Sequence, residues 1–190
     1  MYPVFLKLAG RPVLLVGGGV VAAGKLEGLL GEGAQVTVVA PHIRPDMERP
    51  GVALYRRAFV EGDLDGVWWV VAAAPPEVNR QVSAAAERRR VFVNAVDDPR
   101  HATAYLGGVV RRAGVTLAIS TEGRAPALSG LLREALEAWL PADLERWMDA
   151  SDEARLTWKR DRVPMEERRP LLLQTLNRLY EERSGPRSDT

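Results

Sequence analysis

Two carboxylates in succession, Asp97 and Asp98, close the apolar stretch from Val91 to Val96 and are stopped by Pro99. A carboxylate at the end of a strand works as a general base or orients a cationic substrate nitrogen. The same Asp-Asp-Pro order also builds a plain aspartate turn. Neighbours in an extended chain point to opposite faces, so one of the pair faces a cleft and the other caps the turn; Asp97, nearer the strand, is assigned to the cleft. A second group is the run Ser120-Thr121-Glu122-Gly123-Arg124-Ala125-Pro126 at the start of a helix. Its amides and hydroxyls suit an anion, or simply cap that helix.

The third group is a glycine triplet, Gly17, Gly18 and Gly19, set between the apolar run Val13 to Val16 and an amphipathic helix. Gly17, Gly19 and Ala22 spell the dinucleotide fingerprint G-x-G-x-x-A. The first glycine allows the tight turn, the second lets a pyrophosphate approach the backbone, and the alanine lets helix and strand pack closely. The amides of Gly19, Val20 and Val21 then face the phosphates, with the positive end of the helix dipole behind them. The acid that ordinarily holds the ribose, about 20 residues further on, is missing: the second strand, Gln35 to Ala40, runs into Pro41 and His42. Backbone groups near those two residues are left to hold the ribose, and the choice between NAD and NADP is not readable from this feature.

These groups need a scaffold, and the hydrophobic periodicity supplies one. Strands are predicted at Tyr2 to Leu8, at the fingerprint, and at Gln35–Ala40, Ala53–Phe59, Val67–Ala73 and Val91–Val96, with helices at Val20–Leu30 and Glu77–Arg89 between them. That alternation predicts a doubly wound sheet, and the doubly apolar VWWVVAAA a central strand covered on both faces. After Pro99 the pattern changes to a hairpin, Ala104–Arg111 with Val115–Ser120, then a helix over Pro126–Leu140 with proline at its start. Two more amphipathic helices follow, and a polar, disordered tail. A hairpin plus a helix is too small to close a core alone, which predicts a symmetric homodimer.

Composition excludes several classes. The chain has 190 residues, 46% of them hydrophobic, enough for one nucleotide domain and an appendage. It has no cysteine, which removes thiolate nucleophiles and disulfides, and two histidines, His42 and His101, too few for a histidine metal site, so no resident metal is expected. A net charge of +1 argues against general nucleic-acid binding, and the arginine clusters read as solvated faces. No apolar run reaches the roughly 18 residues of a membrane span, and the start lacks a signal peptide's features, so the expected location is the cytoplasm.

Taken together, YPVFLKLAGRPVLLVGGGVVAAGKLEGLL, VFVNAVDDP and STEGRAPALSGLLREALE follow the order and spacing of the precorrin-2 dehydrogenases, the amino-terminal module of sirohaem synthase. The chain resembles that family over about residues 1–140. The resemblance implies an α/β fold: a Rossmann-like parallel sheet over residues 1–103, a hairpin-plus-helix dimerisation region over 104–140, a small C-terminal helical domain over 141–184, and a disordered tail over 185–190. It implies NAD-dependent oxidation of precorrin-2 to sirohydrochlorin by a homodimer without the methyltransferase domain of fused relatives, some members also inserting ferrous iron. A non-catalytic NAD-sensing module is the reading from another class.

By position, the resemblance makes Asp97 the catalytic carboxylate and places NAD contacts on the glycine turn, on Val20 and Val21, and on Pro41 and His42. It gives Thr121 to the tetrapyrrole, with Ser120 and Arg124 of the same loop as further candidate contacts. The substrate's carboxylates also make Arg111, Arg112 and Arg133 candidates for anchoring it. Two departures stand out: Ala104-Tyr105-Leu106-Gly107 replaces a Phe-x-x-Pro pattern, and Gly24 replaces an arginine.

Overall fold

In the computed structural model, which describes residues 1–183, β1 (Pro12–Val16) is buried almost throughout. It lies at the centre of five parallel strands. With β2 (Gln35–Val39), β3 (Ala53–Tyr55), β4 (Trp69–Ala72) and β5 (Phe92–Ala95) it forms a sheet of order β3-β2-β1-β4-β5. Strand order therefore reverses between β1 and β4, where open α/β sheets bind ligands.

The period of two divides the strands between two cores. Val13 and Leu15 of β1 join Val36, Val38 and Val71 beneath α1 (Val20–Gly31), which contributes Ala22, Leu26 and Leu29. Leu14 and Val16 turn the other way, joining Val70, Ala72 and Val93 beneath Val82, Ala85 and Ala86 of α2 (Pro76–Arg88). All four residues of β4 are buried, as a strand covered on both faces requires. Leu15 is completely enclosed, so truncating it to alanine costs about 2–5 kcal/mol.

One predicted strand does not form. Tyr2 to Leu8 has no ladder partner, and Tyr2, Val4 and Phe5 are exposed. A turn at Gly10-Arg11 would fold this segment back on β1, but β1 already has β2 on one side and β4 on the other. The outer edge of β5 is likewise taken: Thr103 and Ala104 both donate backbone amides to the Val93 carbonyl, at 2.8 and 2.9 Å. The strand predicted at Ala53–Phe59 stops at Tyr55, where the Arg57 amide turns back to the Tyr55 carbonyl.

The chain divides into two compact units, Met1–Leu106 with Ser120–Ala125, and Gly107–Ile119 with Pro126–Thr190. In the second, β6 (Gly108–Arg112) and β7 (Val115–Ile119) form an antiparallel hairpin. Its two turn residues, Ala113 and Gly114, both have positive φ, the primed geometry that matches strand twist. Helices α3 (Pro126–Trp139), α4 (Leu144–Arg160) and α5 (Met165–Arg183) follow. Only Val110, Leu140 and Leu144 anchor the buried cluster of this unit among the described residues. The tail expected over 185–190 lies outside the described residues.

Candidate functional site

Strand register brings the candidate residues of the first unit to one edge. Val16 pairs with Val39 and Ala72, and Ala72 with Ala95, so four strands end level. The ladder continues one residue into each turn: Gly17 donates to Val39, Ala73 to Val16, and Val96 to Ala72. Beyond that common line lie the glycine turn, Pro41-His42 and the aspartates.

The glycine turn is shaped by backbone on one side and left open on the other. A Cβ on Gly17, whose φ is +136°, would stand 2.2 Å from the Ala73 carbonyl oxygen, and one on Gly18 would stand 2.0 Å from that of His42. Both positions therefore reject any side chain. At Gly19 a Cβ would meet nothing within 4 Å. The residue that the fingerprint turns toward a pyrophosphate is thus the one with free space around it. At the start of α1 the Ala23 amide donates to the Gly19 carbonyl, and the helix has no side-chain cap. Val20 and Val21 are exposed, and their amides have no acceptor inside the helix. This end of α1 fits the phosphates of a dinucleotide. Pro41 and His42, also exposed, stand beside it because the Arg44 amide donates to the Gly18 carbonyl.

The aspartates have separate surroundings. Asp98 Oδ2 meets His101 Nδ1 at 2.7 Å, and the Asp98 carbonyl accepts the His101 amide, so Asp98 is spent on its own turn. Asp97 has no hydrogen-bond or ion-pair partner among the described residues. Its φ is +58°, a left-handed conformation that aspartate tolerates better than most residues, and strain of this kind gathers at functional sites. Asp97 lines a cleft of about 440 Å³ with Ala74, Asn79, Arg80, Val96 and Arg100. A carboxylate with no internal partner, facing a cleft, is free to accept a proton or bind a cation.

Sequence reasoning passed over Asn79, which is 3% exposed. Its Oδ1 accepts the Ala74 amide at 3.0 Å and its Nδ2 reaches the Val96 carbonyl at 3.5 Å, tying together the ends of β4 and β5. It fixes the backbone immediately before Asp97. Tyr105 adds a bond from its hydroxyl to the Pro99 carbonyl, 2.8 Å. Asn79 belongs to no recognisable motif, and neither do Arg80 and Arg100, which line the same cleft.

The loop Ser120–Ala125 belongs to the same unit as the aspartates. A Cβ on Gly123 would lie 2.9 Å from that of Pro99, so the loop packs on the aspartate turn. The Arg124 amide donates to the Thr121 carbonyl, Ser120 Oγ accepts the Glu122 amide, and Thr121 Oγ1 accepts the Ala125 amide. Both hydroxyl oxygens thus shape the turn, and the Ser120 hydroxyl retains its hydrogen as a donor. Arg124 is exposed. In the other unit, Arg112 donates to the Leu140 carbonyl and Arg133 pairs with Glu137 and Glu134, while Arg111 is exposed.

No group of three or more histidine, cysteine, aspartate or glutamate residues suited to a metal occurs among the described residues. No helix among them is long and apolar enough to cross a membrane.

Comparison with known proteins narrows the chemistry. Siroheme synthase 1 of Aeromonas hydrophila is 44% identical over 147 residues, 75% of this chain and 32% of that protein. The siroheme synthase of Photorhabdus laumondii is 38% identical over 180 residues, 92% of this chain and 38% of that protein. The chain spans about a third of the length of these curated relatives. The solved structure of SirC, a precorrin-2 dehydrogenase, superimposes with a TM-score of 0.70 at 28% identity, covering 92% of this chain and 88% of that one. Residues 4–108, more than half of the chain, match the family described as "Putative NAD(P)-binding". With that match, and with a glycine turn that leaves room for a ligand at Gly19, the chain belongs to this NAD(P)-binding family.

Proposed function

We propose that the protein oxidises precorrin-2 to sirohydrochlorin, with NAD as acceptor and Asp97 as general base. The observation that carries this reading is the unpartnered Asp97 carboxylate, in a cleft on the same sheet edge as the glycine turn. Similarity to siroheme synthases and to SirC supports the substrate.

The oxidation removes a hydride and a proton from the reduced macrocycle and leaves a new double bond in conjugation. NAD, when bound, supplies the hydride acceptor. The chain's own residues do the rest. Gly19, Val20 and Val21 offer amides to the pyrophosphate, Gly17 and Gly18 keep the turn tight, and Pro41 and His42 flank the ribose. Asp97 takes the proton at its carboxylate, a contribution of about 10²–10⁴ in rate. Asn79 and Tyr105 hold the Asp97 turn, and Ser120, Thr121 and Arg124 offer hydroxyls and a guanidinium to the tetrapyrrole.

The working unit in this reading is a homodimer in the cytoplasm. The second unit has a thin core, and α3 exposes Leu128, Leu131, Leu132 and Trp139, the last at 76%. A monomer gains little by leaving such a stripe in water, and a second copy would cover it. Light scattering should give a dimer, and Leu131→Glu should shift it to monomer.

Following the visible spectrum of anaerobic precorrin-2 with the protein and NAD tests the activity directly. Conversion to the sirohydrochlorin spectrum is expected. NAD binding without any spectral change would instead support a sensing module. Adding ferrous iron afterwards, as a substrate, reads whether the same cleft also inserts metal.

A further inference from the structure

Many charged side chains of the first unit are paired within it, and two of the arginines that are not line one cleft. Arg44 meets Asp46, Arg56 meets Glu48, Arg57 meets Asp63, and Arg88 and Arg89 meet Glu61 and Asp65. Arg80 and Arg100 have no hydrogen-bond or ion-pair partner among the described residues, and both line the Asp97 cleft. Arg80 stands on the second turn of α2, and Arg100 in the short turn that follows Pro99. The nearer carboxylates do not take them: Asp98 is held by His101, and Asp97 is unpartnered.

An unpaired exposed arginine is ordinary; two lining the cleft that also holds the free Asp97 carboxylate have a physical consequence. A substrate bearing several carboxylates must come close to Asp97 for proton transfer, and like charges that near one another repel, more strongly at a protein surface than in bulk water. Guanidiniums lining the same cleft offset that repulsion and bind carboxylates in a two-pronged geometry. They stand past β4, away from the end of β2 where a nucleotide's ribose is held, so the group they read is on the second substrate.

We infer that Arg80 and Arg100 are the anchors for the substrate's peripheral carboxylates, setting the specificity of the Asp97 cleft for a polycarboxylated macrocycle. This rests on the function proposed above. Each guanidinium grips one carboxylate at the rim of the ring system, the pair fixes the ring over Asp97, and a macrocycle with fewer carboxylates loses one grip.

The test compares wild type with Arg80→Gln, Arg100→Gln and the double variant, using uroporphyrin as a stable polycarboxylate probe and coproporphyrin as its less carboxylated counterpart. Quenching of tryptophan fluorescence reports the binding. The double variant should lose about tenfold or more in uroporphyrin affinity, equivalent to about 1.4 kcal/mol, with a smaller loss for coproporphyrin and a weaker dependence on salt. NAD affinity should hold. With precorrin-2 the KM should rise by a similar factor, and kcat should fall by less. Unchanged uroporphyrin affinity and KM in the double variant would overturn the assignment while leaving the dehydrogenase intact. If wild type fails to oxidise precorrin-2, the proposed function falls, and the porphyrin titration still decides the arginines: arginine-dependent binding upholds them, and no binding by wild type overturns them.

Discussion

The paired and the unpaired charges of the first unit occupy different places and do different things. Asp63, beside the turn that precedes β4, accepts two bonds from the Arg57 guanidinium at 2.8 and 2.5 Å and a third from the Val60 amide. Asp97, past the carboxyl end of β5, accepts none among the described residues. The first carboxylate has committed both oxygens to the fold, and the second has committed neither. A charge that has found its partner inside the chain stabilises the chain; a charge left facing a cleft is available to something that arrives from outside.

The sharpest way to break this contrast is Asp97→Asn. In the proposed reaction the amide keeps the shape and removes the proton acceptor, so turnover of precorrin-2 should fall by about 10²–10⁴. Tm and NAD affinity should stay near wild type, since no internal bond is lost. A Tm loss matching that of a core variant would place Asp97 with the structural carboxylates.

The glycine turn gives the same contrast in backbone terms. Gly18→Ala forces a methyl into the His42 carbonyl, and overpacking of that kind costs about 1–3 kcal/mol. Tm and NAD affinity should therefore fall together. Gly19→Ala meets no protein atom, so Tm should hold while NAD affinity drops about tenfold or more. Calorimetry alongside NAD titration separates the two, and equal Tm losses would sink the distinction.

Asn79 links fold and cleft, because its carboxamide is buried and its partners are the backbone at both strand ends. Asn79→Ala leaves the Ala74 amide without its acceptor, a cost of about 1–3 kcal/mol. Both Tm and kcat should decline, kcat by less than in Asp97→Asn. An unaltered kcat would show that the Asp97 turn needs no such support.

How much of this was legible in the sequence follows from where each signal is written. The glycine turn is legible because steric exclusion at Gly17 and Gly18 leaves a mark in residue type itself, and the hairpin because Ala113-Gly114 lies between two apolar runs. The sheet follows from alternating apolar segments, down to the doubly covered β4. Tyr2 to Leu8 misleads because its apolar pattern says nothing about whether a neighbouring strand edge is free, and β1 has none to give. Asn79, Arg80 and Arg100 are silent for a related reason. Their places in the cleft arise from the start of α2 meeting the end of β5, a meeting no local pattern encodes. The separation of Asp97 from Asp98 depends on His101, whose ring reaches back three residues to claim one carboxylate and not the other.

The smallest effect belongs to the paired carboxylate, and its pH dependence is the most specific. Hydrogen bonds from Arg57 hold the Asp63 carboxyl below its ordinary value, outweighing the opposing effect of burial, with the Val60 amide and the Arg57 charge acting in the same direction as those bonds. A carboxylate whose pKa is depressed on folding stabilises the fold above its unfolded value of about 3.9, and that contribution is lost as pH falls through the lower folded value. Asp63→Asn should therefore lower Tm at pH 7 by about 2–4 °C, and the gap from wild type should close only below about pH 4. Turnover at neutral pH should not change, because the pair stands apart from the cleft lining. A gap that failed to narrow at all as the pH fell below about 4 would mean that the asparagine disturbs packing at the turn. A fall in turnover would erase the line between charges that hold the fold and charges that face the cleft.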